Sequence, residues 1–352
     1  MKRIKLSEGG GGEETWRLIR ELFLKHFNNP ILSSLEDSAL LEVGSKVAFT
    51  TDAFTVKPLF FRGGDIGKLA VAGTINDLSV MGARPLYLSV AFVIEEGFPY
   101  EDLEKIVESM ARTAREAGVL IVAGDTKVIP SGRGEDLFIT TSGIGKVVYE
   151  GLSCRNIREG DAVIVSGPIG DHGACVLAER EGFYFGEGFG SDCEPLWDLV
   201  EHMLRSGVEV HAMRDPTRGG LSAVLHEWAM ASQVSFLVEE EKVPIREEVL
   251  GICEFLGLEP YHLACEGRIV FAVKGEEAEK ALKVLKEHPK GKEANIVGYA
   301  IRPEGRPSVI LKTPSSPPPC FPLSQNPHSL PLPSILSLES ICGPREASLF
   351  EA

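Results

Sequence analysis

The stretch IGKLAVAGTINDLSVM, residues 66–81, constrains the fold of this chain more than any other feature of the sequence. It predicts a helix with small or apolar side chains on nearly every side, so no face of that helix suits contact with water. Other elements must therefore enclose it. Asn76 and Asp77 lie within this stretch. Because a buried carboxylate without a partner is costly, Asp77 is expected to meet a cation or hydrogen-bond donors.

Length and composition are those of an ordinary globular protein. The 352 residues are 43% hydrophobic and 25% charged, which suits about two domains with buried cores. The net charge of -15 repels nucleic acid and anionic membranes, so neither is expected as a partner. The seven cysteines show no CxxC spacing, and no segment is typical of a signal peptide or a membrane span. We therefore expect a cytoplasmic protein without a disulfide framework.

Hydrophobic periodicity predicts strands and helices that alternate irregularly in both halves of the chain, which indicates an α/β (α+β) fold. In the first half the predicted elements are helices at 14–27, 66–81 and 99–117, the last ending at Gly118, and strands at 47–51, 119–123 and 137–144. In the second half they are strands at 161–167, 268–274 and 295–301 and helices at 192–206, 217–232 and 276–287.

Two changes in composition divide the chain. A polar, turn-rich stretch occupies 151–160, and from residue 313 the sequence becomes rich in Pro and Ser. We expect this tail to build no regular β-ladder. The predicted parts are a glycine-rich loop and helix (1–36), an N-terminal domain (37–150), a C-terminal α+β domain (151–312) and the tail (313–352).

Acidic residues of the first half follow apolar strands or interrupt the buried helix. In LIVAGDTKVI, residues 120–129, the apolar run breaks at Gly124, which predicts a turn that presents Asp125, Thr126 and Lys127. Singly, each acid is explained as a helix cap or a solvated loop residue. As a group without His or Cys clusters, they suit Mg²⁺ that carries a nucleotide better than zinc. The acids are Asp37, Asp52, Asp65, Asp77 and Asp125.

Two glycine-rich stretches have both a structural and a functional interpretation. Gly9–Gly12 precedes the first helix and is either a flexible terminus or a loop whose N–H groups close over a phosphate. SGPIGDHG, residues 166–173, follows an apolar strand. Its Asp171 and His172 are either functional or ordinary loop residues with satisfied hydrogen bonds.

Two further polar stretches lie in the second half. In DPTRGG, residues 215–220, Asp215 and Pro216 are explained as the N-cap and first residue of a helix. Neither role explains Arg218. An arginine beside a helix N-terminus favours the binding of an anion there. In ACEGR, Glu266 is either a base or a charge at the end of a strand.

Taken in order, several stretches resemble the hydrogenase maturation protein HypE family, which lies within the AIR-synthase-like superfamily. The resemblance spans residues 4–312, and GDIGKLAVAGTINDL together with GDTKV is specific for this family. The stretches are SLEDSALL, FTTDAFTVKPLFFRGGDIGKLAVAGTINDLSVMGA, VAGDTKV, VSGPIGDHGA, RDPTRGGLSAVLHE and CEGRIVFAV.

The resemblance implies a two-domain AIR-synthase-like (PurM-like) fold whose N-terminal domains pair in a homodimer. It also implies binding of ATP with Mg²⁺, and dehydration of a protein S-carboxamide to an S-cyanide that becomes a cyanide ligand of [NiFe] hydrogenase. The implied partners are the carbamoyltransferase HypF and the HypC–HypD complex.

Site residues are carried over by position from this resemblance. Asp77 and Asp125 are the implied metal and phosphate ligands, supported by Asp37 and Asp52. Lys127 is placed near the reacting amide, and Glu266 is a candidate base. The candidate cofactor-binding residues are Gly10, Gly11, Gly12, Asn76, Thr126, Asp171 and Arg218.

The sequence departs from the family pattern at two places. Glu8 stands where HypE proteins usually carry His before the glycine loop. HypE proteins end in Pro-Arg-Ile-Cys, whereas Cys342 of this chain follows Ile341 and precedes ten further residues. Of the cysteines, only Cys320 and Cys342 lie on the tail. Cys342 is the expected carbamoyl acceptor, because the prolines before Cys320 stiffen the chain there, whereas Cys342 has the longer reach and keeps the Ile-Cys ending.

Two other functions remain open from sequence. One is another ATP-dependent AIR-synthase-like enzyme such as selenophosphate synthetase, although SEGGGGE, residues 7–13, lacks the cysteine or selenocysteine which that enzyme needs. The other is a non-catalytic, ATP-binding scaffold of the maturation machinery.

Overall fold

A computed structural model of this chain describes residues 3–5, 17–29, 44, 46–132, 134, 136–183, 188–313 and 321–322. The chain forms two units. Unit 1 comprises Met1–Glu150 with Cys193–Val200, and unit 2 comprises Gly151–Asp192 with Glu201–Ala352. The predicted domain bounds assign residues 193–200 to the second domain, whereas their contacts lie within unit 1.

Unit 1 is built around a four-stranded sheet with the strand order β1-β6-β4-β5. β4 and β5 are parallel, and the other neighbouring strands are antiparallel. The elements are α1 (Leu24–Phe27), preceded by a π-helical turn (Ile19–Phe23), β1 (Val47–Phe54), β2 (Phe60–Phe61), β3 (Gly64–Asp65), α2 (Ile66–Val80), β4 (Ala83–Glu95), α3 (Tyr100–Glu116), β5 (Leu120–Ile129) and β6 (Leu137–Val147).

Helix α2 is enclosed, as its sequence predicts. Of its 15 residues only Lys68 and Asp77 are not buried. The helix begins where the Asp65 carboxylate accepts hydrogen bonds from the backbone N–H groups of Gly67 and Lys68, which satisfies two of its free donors. It packs against β1, β4 and β6, and these contacts make one side of the sheet a helix-covered face.

The other side of the sheet is its open face. Side chains alternate between the two faces along each strand, and Phe49 of β1 is 67% exposed on this one. Paired residues of neighbouring strands share a face, so the register defines the rest of it. The open face carries Phe49, Tyr87, Val93, Asp125, Lys127, Phe138 and Ile144.

Two strands run further than the sequence predicts. β1 continues to Phe54, so Asp52 lies within it and not at its end. β5 continues to Ile129, so the predicted turn at Asp125–Lys127 is wrong and these residues lie in the strand. A Cβ atom on Gly124 would lie 2.9 Å from the Val90 carbonyl oxygen. This glycine therefore permits a close approach of β5 to β4 and does not end the strand.

Unit 2 contains a seven-stranded sheet with the order β13-β12-β9-β11-β7-β10-β8. In its core, Trp228 packs against Phe236. The elements are β7 (Ala162–Val165), α4 (Asp171–Glu181), α5 (Trp197–Arg205, which begins in unit 1), β8 (Val210–Arg214), α6 (Gly220–Ser232), β9 (Ser235–Glu239), α7 (Glu247–Leu256), β10 (Val270–Val273), α8 (Ala278–Glu287), β11 (Asn295–Ile301), β12 (Val309–Lys312) and β13 (Phe321–Pro322).

Part of the tail does pair, contrary to the prediction from its composition. Phe321 and Pro322 form a two-residue antiparallel ladder with Leu311 and Ile310 at the edge of the sheet. Proline is tolerated there because an edge strand does not need every N–H donor. Among the helices that the structure describes, none is long and apolar enough to span a membrane.

Candidate functional site

Asp52 and Asp77, two of the predicted metal ligands, lie on the helix-covered face of unit 1. The Thr50 hydroxyl in β1 donates a 2.7 Å hydrogen bond to Oδ2 of Asp77 in α2. Asp52 is two residues further along β1 and belongs to the same face. The expected partner of Asp77 is thus present as a hydroxyl donor, and the carboxylate keeps partial exposure.

Asp125 and Lys127 lie on the opposite, open face. In the β4–β5 register they stand beside Ala91 and Val93, and both are exposed. Thr126 between them belongs to the helix-covered face and donates its backbone N–H to the Asp125 carboxylate at 2.8 Å. Residues 124–128, GDTKV, therefore place the Asp125 and Lys127 side chains on one face of the sheet and the Thr126 side chain on the other.

The described residues of one chain do not assemble the predicted metal site. Asp125 and the pair Asp52 and Asp77 belong to opposite faces of the sheet. No group of three or more His, Cys, Asp or Glu side chains within the described ranges is placed to hold a metal ion. Asp37 lies outside those ranges, as do Gly10, Gly11, Gly12 and Cys342. Their roles stay predictions.

Asn76 holds a segment of unit 1 that is distant in sequence. Its side-chain nitrogen donates to the Glu194 carbonyl at 3.1 Å, and its side-chain oxygen accepts the Leu196 N–H at 2.8 Å. These bonds attach residues 194–196 to α2. Both ends of this carboxamide thus bind backbone groups. The bond from Asn76 to a cofactor, which the resemblance implies, stays a prediction.

In unit 2 the three polar stretches found in the sequence converge. We call them the first loop (166–173, which includes the first turn of α4), the second loop (215–220, which ends at the first residue of α6) and the third loop (263–268, which is ACEGR with the residue before it). The Gly173 N–H of the first donates to the Ala264 carbonyl of the third at 3.0 Å. The Cys265 N–H of the third donates to the Pro216 carbonyl of the second at 2.9 Å. Backbone hydrogen bonds thus join all three.

The second loop ends later than the sequence predicts. Helix α6 begins at Gly220 with Gly219 as its cap, so the assignment of Asp215 as N-cap and Pro216 as first helical residue is wrong. A Cβ on Gly220 would lie 2.6 Å from the carbonyl oxygens of residues 261 and 263. The third loop therefore packs on this helix start without room for a side chain. Arg218 is exposed in the same loop, and its predicted anion contact stays a prediction.

Asp171 is buried at the first residue of α4 and has cationic neighbours. Its Oδ2 lies 3.0 Å from Nε of Arg246 and 3.6 Å from Nη2 of Arg268. Its Oδ1 is buried without a hydrogen-bond partner. Burial, followed by the nearby charge of Asp192, raises the pKa of Asp171 to about 6 against the opposing effect of Arg246. The contact between Asp171 and a cofactor, which the family resemblance implies, stays a prediction.

His172 is a neutral, buried residue. Its Nδ1 lies 2.8 Å from the Ser191 hydroxyl, and burial lowers its pKa to about 4. The interpretation of His172 as an ordinary histidine with a satisfied hydrogen bond agrees with this environment, although the residue lies in the first turn of α4 and not in a loop.

Glu266 in the third loop keeps partial exposure, while its backbone is bound by Asp192. Sequence reasoning did not single out Asp192, Ser191 or Arg246. None of them lies in a motif, and their partners Glu266, His172 and Asp171 lie 74, 19 and 75 residues away along the chain. Only the folded arrangement reveals them.

Comparison with known proteins agrees with this two-unit architecture. Residues 35–147 match the AIR synthase related protein N-terminal domain, and residues 158–311 match the AIR synthase related protein C-terminal domain. Together they cover most of the chain, so the fold is that of a two-domain AIR synthase related protein.

Individual relatives narrow the class. Carbamoyl dehydratase HypE of Azotobacter vinelandii is 46% identical over 314 residues, which are 88% of this chain and 92% of that protein. A crystal structure of the hydrogenase maturation protein HypE in complex with ATP has a TM-score of 0.86 and 46% identity over 88% of this chain and 94% of that one. A HypE–HypF complex has a TM-score of 0.74 and 49% identity over 86% and 98%. The chain belongs to the HypE family.

Proposed function

We propose that this chain catalyses the ATP-dependent dehydration of a protein S-carboxamide to an S-cyanide, which supplies the cyanide ligands of [NiFe] hydrogenase. The carboxamide oxygen attacks the terminal phosphorus of ATP and ADP leaves. The nitrogen then loses two protons, and the former carboxamide oxygen departs with inorganic phosphate. The observation that carries this proposal is the 46% identity, over 88% of the chain, to a HypE protein whose structure holds ATP.

ATP is the proposed co-substrate, with Mg²⁺ as its counter-ion. Mg²⁺ prefers oxygen ligands and is usually held by nucleotide phosphates together with only one or two carboxylates. The pair Asp52 and Asp77 fits that mode, and so does Asp125 as a separate contact, although the described residues form no three-carboxylate site. When bound, Mg²⁺ neutralises charge on the phosphates and on the transferring phosphoryl group.

Lys127 and Glu266 have the properties that the reaction needs. An exposed ammonium at Lys127 stabilises negative charge that develops on the phosphorylated carboxamide. A partly exposed carboxylate at Glu266 accepts one of the protons that leave the nitrogen. Both groups are accessible to a substrate without unfolding, which supports these roles.

A second copy of the chain is the proposed cover for the open face of unit 1. This face carries aromatic and aliphatic side chains, of which Phe49 is the most exposed. A self-complementary apolar face is typical of a twofold homodimer. Asp125 and Lys127 belong to the same face, so the proposed dimer and the proposed site would share one surface.

HypF is the proposed donor of the carbamoyl group, and the HypC–HypD complex is the proposed acceptor of the cyano group. The HypE–HypF complex among the similar structures supports the first partner. The proposed carrier is Cys342. It lies 20 residues beyond Pro322, so an extended tail reaches as far as about 65 Å from β13.

The experiment that tests this function has two stages. Full-length protein, a version that ends at Cys342, and Cys342→Ala are first incubated with HypF, carbamoyl phosphate and ATP. HypF is then removed, and fresh ATP is added with Mg²⁺ or with a chelator. Intact-mass and peptide mass spectrometry follow the modification, and phosphate release follows ATP use.

We expect a carbamoyl group on the peptide that contains Cys342, more on the version that ends there, and then loss of one water only with ATP and Mg²⁺. A carboxamide that persists despite bound ATP would contradict the dehydratase function and indicate a scaffold. Carbamoylation elsewhere, or nowhere, would contradict the assignment of Cys342.

A further inference from the structure

The Asp192 carboxylate accepts hydrogen bonds from the backbone on both sides of the Glu266 Cα atom. Its Oδ1 accepts the Glu266 N–H at 3.1 Å, and its Oδ2 accepts the Gly267 N–H at 3.2 Å. The Asp192 side chain is 0% exposed. A buried carboxylate is costly unless donors surround it, and here two successive N–H groups supply part of that compensation. The two bonds fix both peptide planes that flank the Glu266 Cα atom.

Arg268 holds the same turn from the following residue. Its Nη1 donates to the Gly267 carbonyl at 2.8 Å, and its Nε donates to the Pro168 carbonyl at 3.0 Å. Its Nε also lies 3.8 Å from Asp192 Oδ2. Asp192 and Arg268 therefore bind the turn through its N–H and C=O groups and balance each other's charge. The first loop is joined to this turn through Pro168.

Exposure along the third loop differs sharply between Glu266 and its neighbours. Every residue from 263 to 269 is buried except Glu266, which is partly exposed. A turn whose other side chains all point inward is suited to presenting one carboxylate in a defined direction. Rotation about this backbone would move that carboxylate away from a substrate, and displacements of ~1 Å at a reacting group can cost ~100-fold in rate.

We propose that Asp192 is a positioning residue for Glu266: it holds the Glu266–Gly267 turn so that the Glu266 carboxylate faces the substrate amide. This inference rests on the proposed function, because that function supplies the role of Glu266 as a base. Asp192 itself is buried below the turn and does not touch the substrate.

The substitution Asp192→Asn tests the proposal with little change in volume. Asn retains one acceptor oxygen for one of the two N–H groups, but its NH₂ group faces the other N–H and cannot accept from it. Asp161→Asn is the matched control. Asp161 is also a buried acid of unit 2, accepts a backbone N–H from Arg158 at 2.8 Å, and pairs with His211. It lies in none of the three loops, so it controls for lost stability alone.

Hydrogen exchange measured by mass spectrometry reports the protection of the backbone N–H groups in this turn and does not require catalytic activity. Asp192→Asn is expected to increase exchange in peptides that cover 263–268, whereas Asp161→Asn increases it around residue 158 and leaves 263–268 unchanged. Equal protection of 263–268 in wild type and Asp192→Asn would overturn the proposal. Should the wild-type protein show no ATP turnover, the proposed function fails, and this measurement alone decides whether Asp192 holds the turn.

Kinetics test whether the turn acts through Glu266. We expect Asp192→Asn to lower kcat for the carbamoylated substrate by about 10- to 100-fold, with KM for ATP within about twofold of wild type. The double variant Asp192→Asn with Glu266→Gln should be no slower than Glu266→Gln alone, because a misplaced base and an absent base have the same effect. Asp161→Asn should keep a normal kcat.

Three kinetic results would overturn the proposal. The first is multiplicative losses in the double variant, which mean that Asp192 acts independently of Glu266. The second is normal turnover by Glu266→Gln, which leaves no base to position. The third is a loss of kcat in Asp161→Asn as large as that in Asp192→Asn, which means that reduced stability explains both.

Discussion

Lys127 is an exposed side chain in the middle of an edge strand, so its chemical role is separable from its role in folding. Lys127→Ala is expected to reduce kcat by about 100- to 1000-fold, the usual loss for one group that stabilises charge in a transition state. The free energy of unfolding should change by no more than about 0.5 kcal/mol. Steady-state ATP turnover and urea denaturation measure the two effects.

Lys146→Ala is the matched control, since Lys146 is an exposed lysine of β6 that belongs to the same open face. It should leave kcat unchanged. A Lys127→Ala protein that folds and turns over normally would show that Lys127 is only a solvated strand residue.

Asp171 gives a pH dependence whose sign follows from its environment. Burial raises the pKa of this carboxyl from 3.8 to about 6, so the folded state binds the proton more tightly than the unfolded chain does. The ionisation of Asp171 therefore lowers the free energy of unfolding as pH rises from about 4 to about 6, and the loss is complete above that range. The side chain is 4% exposed, so solvent screens this effect little.

Asp171→Asn removes that ionisation. Its free energy of unfolding minus that of wild type should rise between pH 4 and pH 7 by an amount on the order of 2–3 kcal/mol. Urea denaturation at several pH values measures this difference, in which the titration of His172 cancels because both proteins contain it. A difference that stays constant or falls with pH would show that Arg246 and Arg268 stabilise the carboxylate fully.

At the scale of elements, the start of α6 depends on a glycine for two separate reasons. Gly220 has a φ of 58°, which disfavours any side chain, and a Cβ there would meet the carbonyl oxygens of residues 261 and 263, at and just before the start of the third loop. Gly207 has a φ of 70° but nothing within 4 Å of an added Cβ. We expect Gly207→Ala to cost ~1–2 kcal/mol from its backbone conformation alone.

Gly220→Ala should cost more than Gly207→Ala by a further ~1–3 kcal/mol, because the third loop must move away from the helix start. Urea denaturation of the two variants measures the difference. Equal losses would show that the second and third loops separate easily, and that their junction is not a rigid part of unit 2.

Elements with a strong local pattern were predictable from sequence, and those whose ends depend on distant partners were not. The enclosed helix α2 follows from its composition, and the end of α3 follows from Gly118, which has a φ of 70°. The predicted end of β5 at Gly124 was wrong because pairing with β4 continues to Ile129. A glycine that permits close packing and a glycine that ends a strand look the same in sequence.

The same distinction holds for the site. Local patterns single out Asp77, Asp125 and Glu266, and the resemblance to a family supplies their expected roles. The strand register then placed Asp125 and Asp77 on opposite faces of the sheet, which spacing along the chain cannot show. Asp192 carries no local signal at all, since its partners in the third loop are 74 and 75 residues away.

At the scale of the whole molecule, the family domains end at residue 311, and the tail begins beyond them. The two domains carry the proposed ATP-dependent chemistry, whereas the proposed acceptor Cys342 belongs to the tail. Variation of the tail should therefore change carbamoylation without changing the capacity of the two domains to bind ATP. The version that ends at Cys342 makes this comparison directly.

The open face of unit 1 predicts the state of association. Phe49 is 67% exposed on this face, and Phe255 on α7 of unit 2 is 71% exposed and serves as the matched control. If two copies pair through the open face, Phe49→Glu buries unpaired carboxylates at the interface, at a cost of several kcal/mol each. Sedimentation velocity should then show a dimer for wild type and Phe255→Glu, but a folded monomer for Phe49→Glu. A dimer that survives Phe49→Glu would place the interface on a surface other than the open face.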